Sequence, residues 1–333
     1  MTKRIMVRRC LRALAGALAL LVALPALVAA FFWAQAAGSP ESWAKSLGHD
    51  ALWLGHAWVD GRRTETDVKA LAVRLRETGI KDVYVHAGPF EFDGTLRTDR
   101  YANAGDLLKW WRAELPGVRI SPWLGQKVDH GLDLADPAAR QRVLDGVRDI
   151  VALGFDGVHY NFEPVTSGDT GFLDLLERTR PLVGDGPLST STPQIEPVPG
   201  MLPLARAVIG HDKYWSQEYF REVATRTDQV AVMTYDSGLP LGSLYRGHVA
   251  QQGELALRLV PDGKALLLGA PAYHDHNVPW GDAAESVAAA AEGARLALSR
   301  HGTPREGFGL ALYVDFAATQ EDWAEYTASW YRP

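Results

Sequence analysis

The stretch GFDGVHYNFEPV, Gly154–Val165, decides the fold. It has the length and apolar content of a short strand, with side chains alternating between two faces. Val158, Tyr160 and Phe162 fall on one face, and His159, Asn161 and Glu163 on the other. Burying an imidazole, an amide and a carboxylate in a row is costly unless they serve a site. A strand with an apolar face towards helices and a polar face towards a shared interior fits the wall of an α/β barrel.

Outward from this stretch, short apolar runs alternate with longer amphipathic ones. Strands are expected at Ala51–His56, Asp82–His86, Arg119–Leu124, Gly157–Asn161, Leu188–Thr192, Gln229–Thr234, Ala265–Gly269 and Gly309–Tyr313. They are apolar in the manner of buried parallel strands. Helical signals separate them. TETDVKALAVRLRETG opens on Thr64 and closes on Gly79. DPAARQRVLDGVRDIVALG opens on Asp136, with Pro137 at the first helical position. The segment after the sixth strand carries the weakest helical pattern. Eight such repeats predict a single (β/α)8 TIM barrel over 51–333. A doubly wound sheet would want a glycine-rich turn after the first strand, and GHAWVDGRR is not one.

The first 36 residues read as a signal peptide or membrane anchor, and 37–50 as a linker. MTKRIMVRRCLR carries five basic residues, and Ala13–Trp33 then runs 21 residues without a charge. Such a run spans a bilayer with its basic flank in the cytoplasm. AQA at Ala34–Ala36 also resembles a signal-peptidase site. Either reading puts the barrel outside the cytoplasm, tethered at the membrane or secreted. The single cysteine, Cys10, precedes the apolar run, so the exported part folds without disulfides. Without the five leader cations, 29 Lys and Arg stand against 40 Asp and Glu. That balance argues against a nucleic-acid partner.

In a (β/α)8 barrel the chemistry gathers where the strands end. Those positions hold Trp53 and His56, then His86, Trp123, Gln194, Met233, Tyr235, Asp236, Tyr273 and Tyr313, with Asn161 and Glu163 at the fourth strand and His159 deeper. Aromatic rings interleaved with hydrogen-bonding groups describe a sugar cleft, because pyranose faces stack on rings while hydroxyls need polar partners.

DGVHYNFE, followed some way downstream by DQVAVMTYD, resembles the family 18 glycoside hydrolases, whose fourth strand reads DGxDxDxE and whose sixth ends in Met-x-Tyr-Asp. Asp156 and Gly157 match the opening pair, Glu163 the general acid, and Met233, Tyr235 and Asp236 the strand-6 segment. His159 and Asn161 stand where the family has aspartates. An Asn two residues before the acid is instead similar to the family 85 endo-β-N-acetylglucosaminidases. The resemblance implies a hydrolase of β-linked N-acetylhexosamine glycans that needs no cofactor or metal. In that chemistry the sugar's acetamido group is the nucleophile, an exception to the two-carboxylate rule. Glu163 would be acid and base, and Asn161 and Tyr235 would hold the acetamido group. His159, Met233, Asp236, Trp53, His86, Trp123, Gln194, Tyr273 and Tyr313 would contact substrate. Two alternatives come from other classes. One is a sugar-binding barrel without turnover. The other is a metal hydrolase built on His56, His86, His159, His274 and His276.

Overall fold

The computed structural model describes residues 23, 25–128, 131–210, 212–274 and 284–333. Eight parallel strands close into a barrel. They are β1 (Asp50–Leu54), β2 (Ile80–His86), β3 (Arg119–Leu124), β4 (Val158–Tyr160), β5 (Leu188–Thr192), β6 (Gln229–Val232), β7 (Ala265–Pro271) and β8 (Phe308–Tyr313). Each pairs with its successor, and β8 returns to β1 through Ala51–Ala311 and Leu52–Leu312. The expected strands therefore form in the expected order, with ends shifted by up to two residues. Outside them lie α1 (Glu65–Leu75), α2 (Ala104–Glu114), α3 (Pro137–Val151), α4 (Thr170–Val183), α5 (Gln217–Arg226), α6 (Gly242–Leu259), α7 (Val287–His301) and α8 (Gln320–Tyr326). Between β5 and α5 the chain adds a short helix, Leu202–Ile209, and a two-stranded ribbon pairing Gln194–Ile195 with Tyr214–Trp215.

Two apolar layers follow from the strand alternation. Trp53, Tyr84, Trp123, Ala231, Leu267 and Ala311 fill the lumen, while Val158, Tyr160 and Phe162 join the layer between strands and helices. On that outer face Tyr160 meets the Thr179 hydroxyl of α4 at 2.7 Å, and Phe162 packs edge-on to Phe172. Burying a side chain such as Val158 or Phe162 stabilises the fold by roughly 1.5–3 kcal/mol. Close approach of β3 and β4 is what Gly125 permits, since a Cβ there would lie 1.8 Å from the Asn161 carbonyl oxygen. Asp156, at the start of β4, is bound bidentately by Arg112 and accepts the Ile120 N–H. Its role is to tie β4 to β3.

The opposite end of the barrel is closed by Asp50. Its buried carboxylate accepts from Ser46 Oγ, Tyr326 Oη, Trp330 Nε1 and the Leu310 N–H. Residues 37–49, read from the sequence as a linker, are packed on the barrel. Ala44 is fully buried, and its carbonyl accepts from Arg295. The helix spanning 25–35 lies against α6, with Phe32 edge-on to His248, and Arg300 caps it at the Gln35 and Ala37 carbonyls. Among the described residues no helix is long and apolar enough to cross a membrane, and residues 13–22 and 24 of the apolar run lie outside them.

Candidate active site

β4 ends early, but pairing with β3 continues. The Asn161 N–H donates to Leu124 at 2.8 Å and the Glu163 N–H to Gln126 at 3.2 Å, with a final bridge from Lys127 to Glu163. Asn161 and Glu163 are thereby held at the barrel mouth as if still in a strand. They open onto a cavity of about 630 Å³, which is also lined by Gln194 beyond β5, Met233, Tyr235 and Asp236 beyond β6, and Tyr313 of β8. Seven of the residues singled out from the sequence thus converge on one cavity.

Glu163 exposes an edge to the cavity mouth while protein crowds it on most other sides. The crowding sets its titration, because lost hydration disfavours the charged form. Desolvation therefore raises its carboxyl above the ordinary value, and the Asp236 charge adds to this. A hydrogen bond from Asn161 and the charge of Lys127 oppose the shift. Asn161, two residues before Glu163, brings its amide oxygen Oδ1 to the same wall of the cavity. That Oδ1 is buried and has no hydrogen-bond partner among the described residues. Gln194 Oε1 is in the same condition. Buried acceptors without donors are uncommon and are satisfied when a ligand supplies an N–H or O–H.

Tyr235 is nearly buried and stacks on Tyr313, with centroids 5.4 Å apart and planes at 18°. Tyr273 stands edge-on to both rings and donates its hydroxyl hydrogen bond to Asp236 Oδ1 at 2.7 Å. Burial pushes the Tyr235 and Tyr273 hydroxyls up, so both remain donors. Asp236 adopts a left-handed backbone with φ 54°, rare for a residue with a Cβ.

Five sequence-predicted contacts do not line the cavity. Tyr273 stands behind Asp236, Tyr235 and Tyr313, which line it. His159 lies fully buried in the lumen, stacked on Tyr84 with centroids 3.8 Å apart. Trp53 Nε1 can only donate, and it does so to His159 Nε2 at 3.1 Å. The remaining proton is therefore on Nδ1, which donates to Ser189 Oγ at 2.9 Å. Burial lowers the imidazole to about 3, so this ring is neutral. Trp53 is a lumen residue by the same contact. Trp123 and His86 form a ring row beside the cavity, with Trp123 6.0 Å from Tyr313 and His86 4.4 Å from Trp123.

Of the histidines of the metal reading, His56 and His86 pack together, with centroids 4.4 Å apart, and His159 and His274 lie apart from them. His159 is in the lumen, and His274 pairs with Asp322 of α8 at 3.0 Å. His276 lies outside the described residues. Among the described residues no group of three His, Cys, Asp or Glu could hold a metal ion. Sequence reading missed Lys127, Asp212 and Lys213 on the cavity wall. Lys127 directly follows the third strand's exit and could have been found there. Lys213 closes an irregular segment with no periodic signal.

No family model and no curated protein matches the sequence. Solved structures do resemble the chain. The spore cortex-lytic enzyme SleL of Bacillus megaterium matches with a TM-score of 0.60 and 13% identity, over 87% of this chain and 76% of that one. A class V chitinase from Pseudomonas fluorescens gives 0.59 and 15%, over 84% and 98%. A chitinase from Chromobacterium violaceum gives 0.57 and 14%, over 84% and 98%. The chain shares the (β/α)8 barrel fold of these enzymes. At such identities the likeness establishes the fold, and the chemistry of the site has to come from its residues.

Proposed function

We propose that the protein is a retaining glycosidase acting on β-linked N-acetylhexosamine glycans, with Glu163 as acid and base and the substrate's own acetamido group as nucleophile. The observation that carries this reading is the unpartnered Oδ1 of Asn161, buried on the wall of the same cavity that Glu163 lines. An acetamido N–H is the donor it lacks. Glu163, whose carboxyl desolvation raises above its ordinary value, gives its proton to the glycosidic oxygen as that bond breaks. The acetamido carbonyl oxygen closes on the anomeric carbon from the opposite face. Asn161 accepts the acetamido N–H, and the Tyr235 hydroxyl donates to the acetamido oxygen. The Glu163 carboxylate then takes a proton from the water that opens the cyclic intermediate. Gln194, Met233, Asp236 and Tyr313 line the sugar's surroundings. The uncharged run Ala13–Trp33 would place this chemistry outside the cytoplasm.

The test is a digest of chitin oligomers, N-glycan cores and peptidoglycan by wild type and Glu163→Gln, each also assayed for binding. Cleavage that the Glu163→Gln protein lacks supports the reading. Binding of the same glycans by both proteins, with no Glu163-dependent cleavage, would replace it with a sugar-binding role.

A further inference from the structure

A second cavity, of about 400 Å³, opens on the same end of the barrel, between the β1–α1 and β2–α2 loops. His56, Asp60, Arg62, Arg97, Asp99 and Arg100 line it. Three guanidinium ions in one recess are unusual on a chain of formal net charge −6. Each is braced from one side. Arg62 grips Asp60 through Nε at 3.0 and 2.8 Å. Arg97 grips Asp99 at 3.0 and 2.6 Å, and Arg100 reaches Glu91 at 3.4 Å. A guanidinium carries five donors, so a braced one keeps N–H groups for another acceptor at little further entropy cost. The Nε of Arg100 is buried and has no partner among the described residues. The lining itself holds three guanidinium groups and two carboxylates, with Glu91 standing behind Arg100.

A row of rings leads to this recess from the Glu163 cavity. Tyr313 touches Trp123, Trp123 touches His86, and His86 packs on His56 with centroids 4.4 Å apart. Phe316, 67% exposed, lies over Gly55 beside His56. Tyr313, His86 and His56 are partly exposed along this path, while Trp123 is buried, and partly exposed rings between two polar recesses can carry the apolar faces of a glycan chain.

We propose that the recess is a subsite for a carboxylate-bearing sugar, a few residues along the same glycan from the bond cut at Glu163. The inference rests on the glycosidase reading, and it narrows the substrate class to acidic glycans over neutral homopolymers. The carboxylate takes bidentate hydrogen bonds from Arg62 and Arg100, the geometry in which arginine discriminates most strongly. The neighbouring sugars lie over the exposed parts of Tyr313, His86 and Phe316.

The test uses two probes: a β-linked N-acetylglucosamine oligomer bearing lactyl ether carboxylates, and the same oligomer with those carboxyls reduced to alcohols. Binding is measured on full-length Glu163→Gln protein, which holds the chain uncut, and cleavage on wild type. The acidic oligomer should bind roughly tenfold tighter than the reduced one. Adding Arg62→Gln and Arg100→Gln should erase that preference and leave affinity for the reduced oligomer within about twofold. Arg62 is exposed, so Arg62→Gln alone keeps the test open if the double variant folds poorly; it should lose several-fold of the preference. Equal binding of the two oligomers, or a preference that survives the arginine substitutions, overturns the proposal. The two readings fail separately. Arginine-dependent preference without cleavage removes the glycosidase reading and keeps the subsite, whereas cleavage of both oligomers at equal rates removes the subsite alone.

Discussion

The Glu285 carboxylate accepts the backbone N–H groups of Asp236 and Ser237, each at 2.7 Å, and so holds the turn that follows β6 from the loop that precedes α7. Lys213 takes the other side of the same turn, donating to the Asp236 carbonyl at 2.8 Å and the Ser237 carbonyl at 3.3 Å. Tyr273 holds the Asp236 side chain. Three groups from separate parts of the chain thus fix one residue in a left-handed conformation. Such strain persists where the surroundings over-determine it. Glu285→Gln turns one acceptor oxygen into a donor facing an N–H group. The expected result is a folded protein whose kcat/KM falls roughly ten- to a hundredfold, as displacement of a site residue produces. Asp236→Asn added to Glu285→Gln should cost little more than either alone, measured as a double-mutant cycle.

Asn161 admits a sharper test of the acetamido step. Asn161→Asp keeps the acceptor and adds a negative charge beside a cation that develops on the sugar. Hydrolysis should become faster relative to transfer onto acceptor sugars, read as the product ratio and the steady-state rate. An unchanged or slower hydrolysis rate would remove the proposed contact between Asn161 and the reacting group.

The pH profile has a predicted direction for two substitutions. In the proposed reaction Glu163 is an acid while protonated, so the alkaline limb of kcat/KM should follow its pKa. The Asp236 charge raises that value and the Lys127 charge lowers it. Asp236→Asn should therefore move the alkaline limb to lower pH, and Lys127→Gln should move it to higher pH. Shifts of the same sign in the two variants would show that another group governs the limb.

Much of this arrangement was legible because barrel geometry ties sequence period to direction. The alternation from Val158 to Glu163 separated outward rings from inward polar groups, and those directions hold in the structure. The same rule could not say how deep each inward group sits. His159 and Trp53 share the polar or aromatic character of site residues, yet their position in the lumen makes them partners of each other. Helix α6 was the least readable element for a related reason. It is covered by the barrel on one side and by the segment carrying Phe32 on another, so Leu244, Tyr245, His248, Val249 and Gln252 are all buried and a narrow polar stripe, Arg246, Glu254 and Arg258, is left. Glu285 and Lys213 carry no periodic signal. Their importance comes from contacts between loops, which local sequence does not encode.

Stability should fall as the solution is acidified, and three histidines say where. Burial lowers His86 to about 4 and His159 and His248 to about 3, against 6.5 for the free side chain. Below pH 6.5 the unfolded chain therefore takes up protons that the folded chain refuses. With more protons bound in the unfolded state, stability rises with pH across this window and is lost as pH falls through it. His159→Asn removes one of the three groups. It should lower stability at pH 7, because Trp53 Nε1, Ser189 and Ser191 lose a partner in the lumen. Each unpaired buried group costs about 1–3 kcal/mol. Urea unfolding between pH 4 and 7 should then show a flatter dependence for the variant than for wild type, by close to one proton. A slope identical to wild type would mean that His159 is charged in the folded lumen, which the donor from Trp53 forbids.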